Sequence, residues 1–393
     1  MRCRQRGWIT IFAAICWGCA LPESACFTAQ PCVLNLHSRA RACSIFFPYR
    51  PRQHQIPSRP SLQMGLGKHS TAREVLEFFD VDLRGKTALV TGGNAGLGLE
   101  TCKALASRGC RVLLCSRDLT AGETAAQKEI LDPAGIPGYE IINQPDVEVL
   151  SLDLADFASI NRCAEKVLTQ VDRIDLLVLN AGVCGLRGKT SDEFEAVMGT
   201  NYVGHAQLCN LLLPKLIAQT SQSRIVVLAS VGHKLGLVDP QDLNCSLTSF
   251  FGWGSYLHSK LAAVLYTRAL HDHLAATNAQ HVTATCLSPG RIFTGIWRHA
   301  PPPLRALVPL FCDREVEGGA ASIVFCCVAP ECGDFERGGA YIADCASAQT
   351  SAAARDPQLR AALWLQTNRL LDAASRAAAR RRQADVEADR ESV

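Results

Sequence analysis

The chain is poor in aromatic residues, which make up 6% of its 393, and it has almost no surplus of either charge, with a formal net charge of +3. Even that excess is local. Residues 1–70 hold nine Lys/Arg and one acid, Glu23, leaving 31 basic against 36 acidic residues in the remainder. A body of net negative charge argues against a nucleic-acid-binding surface, where a basic face is expected. The nineteen cysteines show no repeated spacing: Cys326 and Cys327 are adjacent in an apolar run and the next thiol is Cys332, so no paired CxxC metal frame emerges. They read as small buried hydrophobes in a reducing compartment. With 48% hydrophobic residues the chain can bury a large core, and one domain with extensions fits its length.

At the N-terminus, Arg2, Arg4 and Arg6 precede an apolar run over residues 8–21, and Gly18 and Ala20 fit the small-residue pattern of a signal-peptidase site. The run is about 14 residues, short of the roughly 20 that cross a bilayer, which favours a cleaved signal over an anchor. Residues 1–25 therefore read as a signal peptide. Residues 26–70 are rich in Arg, Ser, Pro and Gln and contain no acid, the composition of a transit peptide. The two in series, with Phe27 close behind the signal, resemble presequences that reach plastids of secondary origin by the secretory route. The alternative is an endoplasmic-reticulum or secreted protein with a linker, against which the cysteines of the body weigh.

From residue 86 the pattern changes. A short β-rich run leads into Gly92-Gly93-Asn94-Ala95-Gly96-Leu97-Gly98, and residues 99–108 then carry apolar side chains at helical spacing, closed by Gly109. A glycine turn between strand and helix is the context of dinucleotide binding: the glycines let the backbone approach a pyrophosphate held at the helix N-terminus. The next strand, 111–115, ends in Ser116-Arg117 where an acid would bind a ribose 2′-hydroxyl. Arg117 suits a 2′-phosphate and predicts NADP(H). Strand 147–152 into Asp153, helix 156–170 and strand 175–179 into Asn180-Ala181-Gly182 continue the alternation, which predicts an α/β Rossmann fold with a doubly wound parallel sheet over residues 71–350. Asp153 is expected near the adenine and Asn180 to Gly182 along the cofactor. Residues 131–145, with their glycines and prolines, read as an inserted surface loop.

Thr-Gly-Gly-Asn-Ala-Gly-Leu-Gly, Asn-Ala-Gly, Asn201, Ser230, Tyr256-Leu-His-Ser-Lys260 and Pro289-Gly290 follow the order and approximate spacing of the short-chain dehydrogenase/reductase family, which the chain resembles over residues 82–345. The text around Asn201 (Thr200 to His205) and residues 338–345 look like its retinol dehydrogenase-like branch and plant and algal relatives. Hydride transfer to a carbonyl carbon needs a proton donor for the oxygen. A free tyrosine is a weak acid, and a nearby cation lowers its pKa. Tyr256 and Lys260, at i and i+4, share one helix face, so Lys260 can be that cation. Ser230, ending the apolar run 224–229, could hydrogen-bond the substrate oxygen. The resemblance further implies that Asn201 holds a water relaying protons to Lys260, and that Pro289, Gly290 and Thr294 hold the nicotinamide carboxamide. It also implies a homo-oligomer.

Residues 297–312 are expected to form a mobile lid whose apolar character suits a small apolar carbonyl or alcohol substrate. The insert 235–254, with Phe250, Phe251 and Trp253, could line the pocket or cover the sheet edge. The light-dependent protochlorophyllide reductases share the fold, NADPH and the Tyr/Lys pair, but carry a cysteine after Pro-Gly where this chain has Arg291. A nonenzymatic NADP(H)-binding regulator is the alternative from another class; the intact tetrad argues against it. Residues 351–393 read as an amphipathic helix with a charged tail, packing on the body or making peripheral membrane contact. No metal site is expected.

Overall fold

The computed structural model describes residues 65–132, 136, 138–244, 253–299, 305, 310 and 312–391. The leader signals, the Phe250-Phe251 pair and Pro301 to Pro303 lie outside them. Helix α1 (Ala72–Phe78) opens the body with a reciprocal cap: Thr71 Oγ1 accepts the Glu74 N–H, and the Glu74 carboxylate accepts the Thr71 N–H. Strand β1 (Thr87–Thr91) is buried at every residue and feeds the glycine turn, from which α2 (Gly96–Ser107) runs back. Gly109 follows with φ +79°, a conformation that favours glycine after a helix. Then come β2 (Arg111–Ser116), α3 (Leu119–Glu129), β3 (Asp146–Ser151), α4 (Phe157–Gln170), capped by Asp156, and β4 (Leu176–Leu179).

A short helix, Ala196–Met198, passes through a π-helical turn, Gly199–Val203, into α5 (Gly204–Ala218). Strand β5 (Ser223–Leu228), α6 (Trp253–Ala276), β6 (Val282–Ser288), α7 (Val316–Val328), β7 (Tyr341–Ala343), β8 (Ala346–Ser347) and α8 (Pro357–Glu391) complete the order. The sheet runs β3-β2-β1-β4-β5-β6-β7-β8, and only the β7–β8 pair is antiparallel. The chain winds outward from β1 to β3, then returns to β4 on the other side of β1. That reversal opens a crevice at the carboxyl ends of β1 and β4, where ligands of such sheets sit. This is the expected Rossmann architecture.

Two apolar layers cover the two faces of the sheet, one built on α4, α5 and α6, the other on α1, α2 and α7. The segment 131–145 is less superficial than its composition predicts. Ile136 is buried, and Tyr139 donates its hydroxyl to the buried Glu100 carboxylate at 2.6 Å, which ties the segment to α2. The twelve described cysteines are all unpaired, and all but Cys312 are buried. In α8, Leu363, Thr367 and Leu371 recur at the i, i+4 spacing of one helix face and are buried, Thr367 bonding the Tyr202 hydroxyl at 2.6 Å. No helix among the described residues is long and apolar enough to cross a membrane.

Candidate active site

The glycine turn makes the crevice passable to a backbone-hugging ligand. Gly92 (φ +66°) lies against Ala181, and a Cβ on Gly98 would stand 2.2 Å from the Gly92 carbonyl oxygen and 2.5 Å from Asn180 Nδ2. Only glycine lets α2 begin this close to β1 and β4. The first turn of α2 has no side-chain cap, so its N–H groups face the turn formed by Gly92, Asn94, Gly96 and Leu97. Thr91 locks the opposite wall: its Oγ1 accepts the N–H groups of Asn180 (2.8 Å) and Ala181 (3.0 Å), while Asn180 Nδ2 donates to the Thr91 carbonyl at 2.8 Å. Thr294 reaches over from the segment after Pro289 and Gly290 (φ +91°), close to where a Gly96 side chain would stand. These cofactor-binding candidates converge on one crevice.

Arg117 and Asp153 sit at the outer end, each after the strand predicted to deliver it. Arg117 is exposed and makes no ion pair among the described residues; the Asp153 carboxylate accepts the Ala155 N–H at 2.9 Å, shaping its turn.

The catalytic candidates gather beyond β5. Helix α6 starts at Trp253, so Tyr256 and Lys260 occupy its first two turns. The Lys260 ammonium is buried, stands 5.6 Å from the Tyr256 ring centre, and donates to the Leu228 carbonyl at 2.8 Å. Ser230 follows β5 after one intervening residue; its Oγ accepts the Gly232 N–H at 3.1 Å, and a side chain on Gly232 would touch both Ser230 Oγ and the Tyr256 ring. Burial pushes the Tyr256 phenol up, the nearby Cys184 thiol adds to this, and the Ser230 hydroxyl opposes it. The expected lowering by Lys260 is not among the causes, and the net shift is upward. Burial also brings Lys260 itself down to about 8.

Asn201 occupies the π-helical turn, where Gly204 N–H bonds the carbonyl five residues back, at Gly199. Its side chain clasps the loop after β4: Oδ1 accepts the Val183 N–H (2.8 Å), and Nδ2 donates to the Val183 carbonyl (2.9 Å) and to Ser259 Oγ (3.1 Å). Ser259 in turn donates to the Tyr256 carbonyl at 2.8 Å. Both Nδ2 hydrogens are committed and Oδ1 has one of its two lone pairs taken, so a water between Asn201 and Lys260 would use the remaining Oδ1 lone pair or the Asn201 main-chain carbonyl.

Thr91, Ser259 and His205 stand inside the quoted motif text but carry no role in it, and Val183 and Cys184 lie outside it; each belongs to this site through a contact between segments remote in sequence. Arg291, after Pro-Gly, pairs with Asp313 at 2.9 Å, as does Lys68 at 2.7 Å. Trp297, in the segment expected to form the lid, packs its ring 5.5 Å from that of Trp253, and the Trp253 indole covers Gly185.

The sequence profile of the short chain dehydrogenase family matches residues 86–303. Retinol dehydrogenase 11 of Mus musculus is 37% identical over 290 residues, spanning 72% of this chain and 86% of that protein. Retinol dehydrogenase 12 of Homo sapiens is 35% identical over 289 residues, with the same two shares. Among solved structures, an uncharacterized protein from Mycobacterium Paratuberculosis superposes with a TM-score of 0.59 at 28% identity, covering 77% of this chain and 98% of its own. With the glycine crevice, the Tyr256–Lys260 pair and these relatives in hand, the chain belongs to the short chain dehydrogenase family, in its retinol dehydrogenase-like branch, and is an oxidoreductase of alcohol and carbonyl groups that uses a nicotinamide cofactor.

Proposed function

We propose that the chain is an NADP(H)-dependent dehydrogenase/reductase acting on the alcohol or carbonyl of a small apolar substrate, in the manner its retinol dehydrogenase relatives are named for. The observation that carries this reading is the buried Lys260 ammonium 5.6 Å from the Tyr256 ring centre, with Ser230 at the end of β5 on the same side of the crevice. In reduction, Tyr256 gives its hydroxyl proton to the substrate oxygen, Ser230 hydrogen-bonds the same oxygen, and Lys260 restores the proton to Tyr256. A nicotinamide bound along the glycine crevice supplies the hydride. Pro289, Gly290 and Thr294 orient its ring, and Gly92, Asn94, Gly96, Leu97, Gly98, Asp153 and Asn180 to Gly182 hold the rest.

NADP(H) specificity rests on Arg117, an exposed guanidinium directly after β2; Ser116 ends the strand where an acid would bind a ribose 2′-hydroxyl, and the neighbouring Asp118 is engaged as the N-cap of α3. Purified protein assayed with NADPH and retinal should lose roughly 10²- to 10⁴-fold in kcat on Tyr256→Phe, the scale of removing a general acid. Unchanged turnover would refute the assignment. Arg117→Ala should weaken NADPH and leave NADH unaffected; equal NADPH and NADH binding in the parent would refute the cofactor preference.

The same proposal includes the leader, with residues 1–25 as signal and 26–70 as plastid transit segment or, alternatively, an address to the endoplasmic reticulum or outside. A fusion of residues 1–70 to a fluorescent protein separates these destinations. Homo-oligomerisation and peripheral membrane contact through the region 351–393 complete it.

A further inference from the structure

His205 is buried at the centre of this site, and the reaction as described gives it no task. It lies in the first turn of α5, directly after the π-helical turn. Such turns are rare and concentrate at functional sites, because the extra residue turns side chains away from regular helical positions. His205 Nδ1 is 2.9 Å from the Asn201 carbonyl oxygen, which can only accept, so Nδ1 carries the proton. Nε2, 2.9 Å from Thr91 Oγ1, is then the acceptor, and Thr91 donates its hydroxyl proton to it. The Val178 carbonyl, at 3.4 Å, is the poorer acceptor for that proton. With its proton so directed, Thr91 Oγ1 turns its lone pairs to the N–H groups of Asn180 and Ala181.

We propose that His205 is a positioning residue, holding the Thr91 hydroxyl and the Asn201 carbonyl at fixed separation so that the cofactor loop Asn180 to Gly182 and the proton path to Lys260 stay in register. The chain of bonds runs from β4 through β1 to α5. His205 thereby fixes the orientation of the Asn201 carbonyl that faces the relay. The imidazole has to be neutral to serve: a protonated ring would lose its acceptor for Thr91 and would repel the Lys260 ammonium. Its surroundings enforce this, since burial brings its pKa down to about 4, against the opposing hydrogen bond to Asn201, and Lys260 adds to the lowering. The inference rests on the reading of Tyr256 and Lys260 as the reacting pair.

Three substitutions in the full chain test it, with NADPH binding followed by fluorescence and turnover followed with NADPH and retinal. His205→Phe keeps the volume and removes both bonds; His205→Gln keeps a donor for Asn201 and an acceptor for Thr91; Thr91→Val removes the hydroxyl alone. His205→Phe should raise the NADPH Kd and lower kcat by about tenfold each, the scale of a buried hydrogen bond left unmade, with the KM for retinal within about twofold of the parent. Glutamine should recover most of both losses, which volume alone would not do. His205→Phe with parent-like Kd and kcat, or His205→Gln as impaired as His205→Phe, overturns the proposal. If His205→Phe fails to fold, Thr91→Val decides, because its parent-like NADPH binding would equally overturn it. Tyr256→Phe run alongside separates the two readings: full activity there refutes the reaction assignment, while the NADPH Kd of the His205 variants still reads the positioning role.

Discussion

At the residue scale, the site trades charge for position. Lys260 is buried, and its ammonium is matched by carbonyl oxygen at Leu228 and by no carboxylate among the described partners. The consequence is a base at about 8, lowered by burial from an ordinary lysine value near 10.5. A lysine is charged below its pKa, so the proton that must return to Tyr256 during reduction is available below about pH 8 and is lost above it. Accordingly kcat/KM for NADPH-driven reduction should be level on the acid side and fall as pH rises through about 8, whereas oxidation should gain over that interval. A pH profile with stopped-flow absorbance checks this, and a limb that persists unchanged in Lys260→Met would contradict the assignment. Residue types were the most legible part of the molecule. Tyr256, Lys260, Ser230 and Asn201 stand where their motifs put them, since local helix and strand geometry brings i, i+4 and strand-end positions to the same place. The direction of the Tyr256 shift was not legible: it depends on how much protein surrounds the phenol, which spacing does not encode.

At the scale of elements, close backbone approaches decide which glycines are obligatory. A Cβ on Gly204 would stand 2.2 Å from the Leu154 carbonyl oxygen, because α5 crosses the loop after β3 almost in contact. The obstacle is backbone and cannot rotate away. Gly204→Ala should therefore cost about 1–3 kcal/mol of stability, the range of forced overpacking, visible as a lower urea midpoint; a parent-like midpoint would contradict the contact. Strand, glycine turn and helix could be read directly because their hydrophobic periods differ. The π-helical turn could not: one extra residue per turn over Gly199–Val203 leaves no periodic mark, and its effect is felt only where Asn201 and His205 meet other elements. The same holds for the segment 131–145, whose glycines and prolines concealed the anchors Ile136 and Tyr139.

For the whole molecule, buried neutral histidines couple folding to pH. His205, His233 and His258 all have their pKa lowered, with burial the leading cause, and His205 lies at about 4. Each is held by main-chain groups: His205 by the Asn201 carbonyl, His233 by the Ser230 carbonyl at 2.7 Å, and His258 by the Leu237 N–H at 2.8 Å. In the unfolded chain a histidine takes up its proton near pH 6.5, while the folded state resists until lower pH. The unfolded state therefore binds more protons below about 6.5, and stability falls with pH from there towards 4. Thermal midpoints measured from pH 7.5 to 5 should decline; a flat profile would show that these imidazoles are not protected.

By itself the sequence determined the order of strands and helices, the glycine turn and which side chains are candidates for the reaction, because these follow from local periodicity, backbone sterics and residue chemistry. Only the tertiary structure decided that β1 and β4 lie side by side, that Thr91 reaches Asn180, and that Asn201 spends its amide on Val183 and Ser259. These are contacts between segments tens of residues apart, created when the apolar faces of the helices close on the sheet and bring their polar groups within hydrogen-bonding distance.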